Sequence, residues 1–558
     1  MYWNDYIVIL SFIISLILLT KPLGNLIYRL FENNHDIEFI NQIEKLIFKF
    51  LGIQPDKEMD WKSYSSSLLI FNCIGFLFVF ILQLIQLHLP LNPQNLANVE
   101  PTLAFNTAVS YMTNTNWQSY SGENTLSYLV QSIAMTVQNF LSAATGISVF
   151  LAISRGLRNK LTKNLGNFWV DMIRSTLYVL LPLSIILAII LISQGVVQNI
   201  NNYTEIVSLE GLKQMIPGGM AASQIAIKQL GTNGGGFFGT NSSFPFENPT
   251  ALSNLLQMLS ILLIPAALTF TYGKIVGSTR QGWTIFIVML ILFVIGLSVS
   301  LISEYSINTN LGLAGNMEGK ETRLGITNSV IWSTATTAAS NGSVNSMHES
   351  LMPLSGIVAM LNIMTGEVIF GGVGTGVYGM LVFIILTVFI AGLMIGRTPE
   401  YLGKKIQAKE VQMAIIAVIA PSFVILVFSS IALLAPEGIS RVFERGAHGF
   451  SEILYAFSSA AGNNGSAFAG LGSNTPFYNI MLGIGMLIGR FAVIIPILVI
   501  AGSLSAKNKI PNSQGTFRTD NIVFGFLLCS VILIVGALTF LPALSLGPII
   551  ESLNNVLH

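Results

Sequence analysis

The chain has 558 residues, of which 52% are hydrophobic and 9% are charged. A soluble domain carries about 25% charged residues, so this composition excludes a water-facing surface over most of the molecule and points to lipid as the main solvent. With 27 Lys and Arg against 26 Asp and Glu, the balance gives no electrostatic case for nucleic-acid binding.

Residues 1–20 are apolar but lack a basic leader and a small-residue cleavage site, so they read as a retained first span rather than a signal peptide. A helix crossing ~30 Å of hydrocarbon needs about 20 apolar residues. Ten stretches meet that requirement: 4–22, 66–89, 125–152, 168–195, 249–273, 282–303, 375–396, 412–435, 477–502 and 522–546. Cys73 and Cys529 both fall in apolar runs and read as packing residues, not as a disulfide or metal set. The connecting loops alternate in charge. Loops 21–65, 153–167, 274–281, 397–411 and 503–521 hold 19 Lys and Arg, whereas 90–124, 196–248, 304–374 and 436–476 hold 6. The positive-inside rule makes the first set cytoplasmic and puts both termini outside.

Each outside loop carries a short polar segment. They read Thr113-Asn114-Thr115-Asn116, Thr232-Asn233-Gly234-Gly235, Ser340-Asn341-Gly342-Ser343 and Gly462-Asn463-Asn464-Gly465. Measured from the first Asn of each, the spacings are 119, 108 and 122 residues, which suggests four similar units around one axis. Before each segment lies a short apolar stretch: 102–112, 220–230, 326–339 and 450–460. These are too short to span and long enough for re-entrant helices. The expected architecture is an all-α polytopic membrane protein with about ten spans. Its four pseudo-symmetric repeats of span, pore helix, filter and span resemble K⁺ channels, over 66–160, 161–275, 276–400 and 401–505, with 1–65 and 506–558 flanking them.

Non-helical backbone at membrane depth is tolerated only when buried in protein or lining a wet cavity. Four such segments meeting at an axis satisfy that condition, and their carbonyls then replace an ion's hydration shell. Gly supplies the left-handed backbone this needs, and Asn tolerates it while bracing the strand from behind. The tetrapeptides contain no carboxylate, and neutral carbonyls favour a large, weakly hydrated monovalent cation, K⁺ first. The candidate ligands are Asn114, Thr115, Asn116, Asn233, Gly234, Gly235, Asn341, Gly342, Ser343, Asn463, Asn464 and Gly465, with Gln118 flanking the bulkier first segment. Which residue of each tetrapeptide supplies the innermost carbonyl is left open.

The stretches TNTNWQSYSGE (113–123), GTNGGGFFGTNS (231–242), FENPTALSN (246–254), SNGSVNSMHES (340–350) and AGNNGSAFAGL (461–471) resemble the KdpA family, the potassium-binding subunits of bacterial Kdp transport ATPases. The resemblance runs through all four repeats to GALTFLPALSLGP (536–548). It implies kinship with K⁺ channels, although no TVGYG filter is present. It also implies a non-catalytic subunit in the bacterial cell membrane, assembled with the P-type subunit KdpB, with KdpC and with KdpF. K⁺ would pass sideways to KdpB through a tunnel in the membrane. The sequence agrees by omission: it has no Walker A pattern and no Asp-Lys-Thr-Gly motif. No nucleotide or organic cofactor is expected in the chain. The competing readings are a stand-alone K⁺ channel or symporter, and an intramembrane enzyme. The enzyme would need convergent His, Asp or Glu at depth, where this chain offers mostly Asn, Thr, Ser and Gly.

Two G-x-G-x-x-G matches, at Gly234 and Gly374, lack a βαβ context and are rejected as dinucleotide sites. Gly371, Gly372, Gly374 and Gly376 read instead as a helix break below the third filter, a candidate gate. Arg490 and Glu367 lie in apolar sequence, where a charge costs ~2.5–3.5 kcal/mol. Arg490 is expected to be a barrier to a straight inward path, and Glu367 to balance it or steer the ion; a plain salt bridge between them is the alternative. Asp171 and Arg174 read as a helix-end ion pair, and His348 with Glu349 as interfacial structure.

Overall fold

The computed structural model describes residues 1–32, 38–308, 313–510 and 517–557. Its longer helices are α1 (Trp3–Glu32), α2 (Glu38–Leu51), α3 (Trp61–Leu84), α4 (Pro101–Met112), α5 (Val130–Arg158), α6 (Phe168–Ser193), α7 (Ala221–Leu230), α8 (Ala251–Ile275), α9 (Thr279–Glu304), α10 (Gly325–Ala338), α11 (Pro353–Met364), α12 (Thr375–Ile395), α13 (Ala408–Leu434), α14 (Ala447–Ala461), α15 (Pro476–Ser505) and α16 (Ile522–Leu553). Among the described residues, ten of these are long and apolar enough to cross a membrane.

The helix starts are written in local chemistry. The Asp60 carboxylate accepts the Ser63 N–H at 3.0 Å ahead of α3. Glu100 accepts from Leu103 at 2.9 Å, with Pro101 in the first turn of α4. Thr250 and Ser253 form a reciprocal capping box at α8. Each such cap contributes about 1 kcal/mol.

Four units follow one plan: an outer span, a short helix, a polar segment and an inner span. The outer spans are α3, α6, α9 and α13; the short helices are α4, α7, α10 and α14; the inner spans are α5, α8, α12 and α15. Burial separates the two sets. The most apolar windows of the inner spans are 61–83% buried, against 22–50% for the outer ones. The inner spans pack around the axis, and α1 and α16 complete the periphery.

Several expectations need correction. The third unit departs from the plan. Residues 353–374, expected in an outside loop, form α11 and a turn that folds back beneath the third polar segment, where the Gly371 N–H donates to the Ala338 carbonyl at 3.1 Å. The apolar run of α11 is too short to register as a span, which hid it. Part of the predicted loop 21–65 is helical, because α1 continues through Pro22 to Glu32 and α2 follows. Asp171 and Arg174 do not pair with each other. Asp171 is buried and takes Arg155 at 2.6 Å and the Tyr64 hydroxyl at 2.9 Å, while Arg174 turns outward to Glu44 at 2.8 Å. Cys529 is half-buried on α16 and packs against the core as expected, whereas Cys73 is exposed on the peripheral helix α3.

Candidate functional site

The four short helices end alike. Their C-terminal caps are Thr113, Gly231, Ala339 and Gly462. The next residue is left-handed in every unit: Asn114 (φ 67°), Thr232 (49°), Ser340 (48°) and Asn463 (47°). The residue after that donates its N–H to the carbonyl five positions back: Thr115 to Ser110 at 2.9 Å, Asn233 to Lys228 at 2.8 Å, Asn341 to Thr336 at 3.0 Å and Asn464 to Ser459 at 2.8 Å. Structurally equivalent residues are therefore Thr115, Asn233, Asn341 and Asn464, followed by Asn116, Gly234, Gly342 and Gly465. The first-Asn marker is one residue late in the second and third units. Side-chain identity misled it, because Asn, Thr and Ser all tolerate the left-handed cap position there.

Alternating handedness turns successive carbonyls toward one side of a strand. Asn116, Gly342 and Gly465 are left-handed again, at 54°, 86° and 98°; in the second segment this falls one residue later, at Gly235 (72°). The segments meet at Gly234. A methyl group added there would lie 2.7 Å from the Thr115 carbonyl oxygen, 2.8 Å from that of Asn341 and 3.0 Å from that of Asn464. Three units thus present carbonyls to one point against the fourth. A methyl on Gly342 would overlap the Asn464 carbonyl, and one on Gly465 that of Thr115. Only glycine fits at these positions.

Side-chain amides staple the ring from behind. Asn114 Nδ2 donates to the Thr232 carbonyl at 2.8 Å, joining units one and two. Asn341 Nδ2 reaches the Lys228 carbonyl at 3.3 Å and Asn464 Nδ2 the Thr336 carbonyl at 2.9 Å. Asn463 Nδ2 closes the circle on Thr115 Oγ1 at 2.9 Å. Ser343 donates from its N–H to Asn341 Oδ1 at 2.9 Å, and Ser343 Oγ bonds Gln229 Oε1 at 2.9 Å. Gln118 pairs with Gly236 as a strand would, donating to its carbonyl at 3.0 Å and accepting its N–H at 2.9 Å.

Below the ring lies the turn after α11. Its Val373 N–H donates to Thr232 Oγ1 at 2.9 Å, and the Gly372 N–H to Glu367 Oε2 at 3.1 Å. Gly371 and Gly374 are left-handed, and a methyl on Gly376 would overlap the Phe370 carbonyl. Arg490 in α15 is 5% exposed and donates to the Ser142 carbonyl at 3.3 Å. Among the described residues, Arg490 and Glu367 form no ion pair. Both line one narrow cavity of about 60 Å³, whose walls run from Gly462 and Asn463 to Ser422 of α13 and Thr539 of α16. Its far wall is formed by Ala417, Ser422, Val535 and Thr539 of α13 and α16.

His348 is buried, with Nδ1 2.9 Å from the Tyr455 hydroxyl. Tyr455 in turn bonds Ser466 Oγ at 2.8 Å, and Ser466 holds Asn464 Oδ1. Sequence reasoning missed Tyr455, Trp332, Ser466, Lys228 and Glu247. The aromatic pair had a usable signal: Trp332 and Tyr455 each lie seven residues before the helix cap.

The sequence profile of the family described as KdpA, potassium-transporting ATPase A subunit, matches residues 10–553. A Leptospira interrogans protein named potassium-transporting ATPase potassium-binding subunit is 53% identical over 550 residues, covering 98% of each chain. A Pseudomonas fluorescens protein of the same name is 54% identical, covering 99% of this chain and 100% of its own. The crystal structure of the potassium transporter TrkH from Vibrio parahaemolyticus superposes with a TM-score of 0.51 at 12% identity, over 88% of this chain and 98% of that one. That likeness concerns the fold. On the near-full-length identity, the chain belongs to the potassium-transporting ATPase A subunit family.

Proposed function

We propose that this chain binds K⁺ from outside the bacterial cell membrane and conducts it toward an ATP-hydrolysing P-type partner, as the ion-selecting subunit of a potassium pump. The ion sheds water against the carbonyls of Thr115, Asn233, Asn341 and Asn464, flanked by Asn116, Gly234, Gly342 and Gly465. The observation that carries this reading is the approach of the Thr115, Asn341 and Asn464 carbonyls to one point at Gly234. The C-terminal ends of α4, α7, α10 and α14 face the same place and add partial negative charge. Repeat boundaries near 66, 161, 276, 401 and 505 follow the same four-fold plan, with both termini outside.

Transfer is lateral in this reading. Arg490 supplies a positive charge under the ring, and the Gly371–Gly376 turn blocks the straight path. Glu367 draws the ion into the cavity between α13 and α16, the side on which KdpB would dock, with KdpC and KdpF completing the pump. A stand-alone channel or symporter is the rival, supported by the fold shared with a transporter named for potassium alone. The test is K⁺-stimulated ATP hydrolysis by the reconstituted complex with Gly234→Ala. Loss of the K⁺ response with intact assembly is expected. Unaltered stimulation contradicts the proposal, and K⁺ flux through the isolated chain favours the rival.

A further inference from the structure

Three residues before each helix cap stand Ser110, Lys228, Thr336 and Ser459. In three units the side chain is a hydroxyl that braces its own segment. Ser110 Oγ donates to the Trp117 carbonyl at 3.0 Å, Thr336 Oγ1 bonds Asn341 Oδ1 at 3.2 Å, and Ser459 Oγ accepts the Gly465 N–H at 2.9 Å. The second unit has a lysine there instead. Lys228 is buried, and its Nζ donates to Asn241 Oδ1 at 2.9 Å, Ser242 Oγ at 3.0 Å and Glu247 Oε2 at 2.9 Å. The pair is closed to solvent, with side-chain exposures of 1% and 0%. The other carboxylate oxygen of Glu247 accepts the Phe238 N–H at 2.9 Å. The ion pair therefore clasps the chain that leaves the second segment.

That segment is the one with most freedom to lose. It runs Gly234-Gly235-Gly236, and glycine gives up more backbone entropy on ordering than any other residue. It is also the segment whose second left-handed residue is displaced by one. A buried ion pair is a poor source of net stability, since desolvation offsets the attraction, but it defines one geometry. A lone Glu247 carboxylate behind the segment would favour divalent or strongly hydrated cations, and Lys228 cancels that charge.

We propose that the Lys228–Glu247 pair is a positioning element that sets the ion selectivity of the second segment. It fixes Gly234 and Gly235 against the carbonyls of the other three units while hiding a carboxylate from the ion. This rests on the polar ring being the K⁺ site.

The test uses the reconstituted complex with Ser242→Ala, Lys228→Met and the double variant Lys228→Met with Glu247→Gln. The readouts are the K⁺ concentration for half-maximal ATPase stimulation, the maximal rate, and stimulation by Na⁺. The double variant is expected to need about tenfold more K⁺ and to respond to Na⁺, with its maximal rate retained. Ser242→Ala leaves both charges in place but removes the hydroxyl that accepts from Lys228 and lies 3.3 Å from Glu247 Oε2 and 3.2 Å from Gln257 Oε1; it moves half-saturation by about three- to fivefold in the same direction. It decides the matter if the charge variants do not assemble. An assembled variant with wild-type K⁺ dependence and no Na⁺ response overturns the proposal. Gly234→Ala in parallel separates the two claims: if it abolishes the K⁺ response while the pair variants behave as wild type, this inference fails and the ring reading stands.

Discussion

The third and fourth polar segments are braced alike, whereas the first and second depend on each other. In the later pair, Asn341 and Asn464 each reach back to the preceding unit's helix and hold a serine two residues on. An aromatic residue at the same helix position supports each serine: Trp332 Nε1 donates to the Ser343 carbonyl at 2.8 Å, and the Tyr455 hydroxyl bonds Ser466 Oγ at 2.8 Å. In the earlier pair the equivalent positions are Asn106 and Gln224, which turn elsewhere, to the carbonyls of Asn479 and Gln131. Gln118 takes over, tying segment one to segment two through Gly236. The backbone ring is thus common to all four units, set by the shared helix cap. The bracing, much of it reaching between units, differs from one segment to the next.

The largest expected effect falls on what the units share. Gly342→Ala and Gly465→Ala should each raise half-saturating K⁺ in the ATPase assay by about a hundredfold or abolish the response, because each methyl meets a carbonyl at a left-handed residue. A mild phenotype in either would break the equivalence of the units. Next comes the brace of the earlier pair. Gln118→Leu strips two backbone bonds and should cost about 2 kcal/mol, seen as a K⁺ shift of roughly thirtyfold. It disturbs two segments at once.

Smaller effects follow from the later pair. Trp332→Phe removes one hydrogen bond to segment three and Tyr455→Phe one to segment four, besides the hydroxyl's bond to His348; at ~1 kcal/mol per bond to the segment, each should move half-saturation by about fivefold. Similar shifts sharpen the likeness of segments three and four; a shift in only one dissolves it.

The smallest effect distinguishes the fourth segment from the third. His448 lies 2.8 Å from Glu349 and 2.9 Å from Glu551 and stacks on Phe468, which stacks on Tyr455. Hydrogen bonds to the two carboxylates raise its pKa to about 10. The folded value exceeds the unfolded one of about 6.5. Its stabilisation is therefore complete below about pH 6.5 and disappears as pH rises through about 10. The melting temperature gap between wild type and His448→Gln, followed by thermal unfolding, should narrow over that window and close above it. A gap independent of pH contradicts the ion pair.

Much of this was legible in the sequence because lipid imposes simple rules. Length and apolarity place ten spans, and short apolar stretches before the Asn- and Gly-rich tetrapeptides mark α4, α7, α10 and α14. What escaped was tertiary. The register slipped because Asn114 aligns with Thr232 and Ser340, which share its backbone but not its side chain. Lys228 went unremarked within the apolar stretch 220–230, since Glu247, its partner, is nineteen residues away. Asp171 sat beside Arg174 in sequence but faces Arg155 across the α5–α6 contact. The turn at 365–374 was read as a break from its glycines, yet α11 above it was too short to be separated from a loop.

The central claim is that four backbone segments coordinate one dehydrated cation at the level of Gly234. Anomalous scattering from the assembled complex soaked in Tl⁺ or Rb⁺ measures this directly. The account predicts a peak on the axis among the carbonyl oxygens of Thr115, Asn233, Asn341 and Asn464, absent in Gly234→Ala. A wild-type map with no peak there in saturating salt, or with the ion bound only to carboxylates elsewhere, would contradict it.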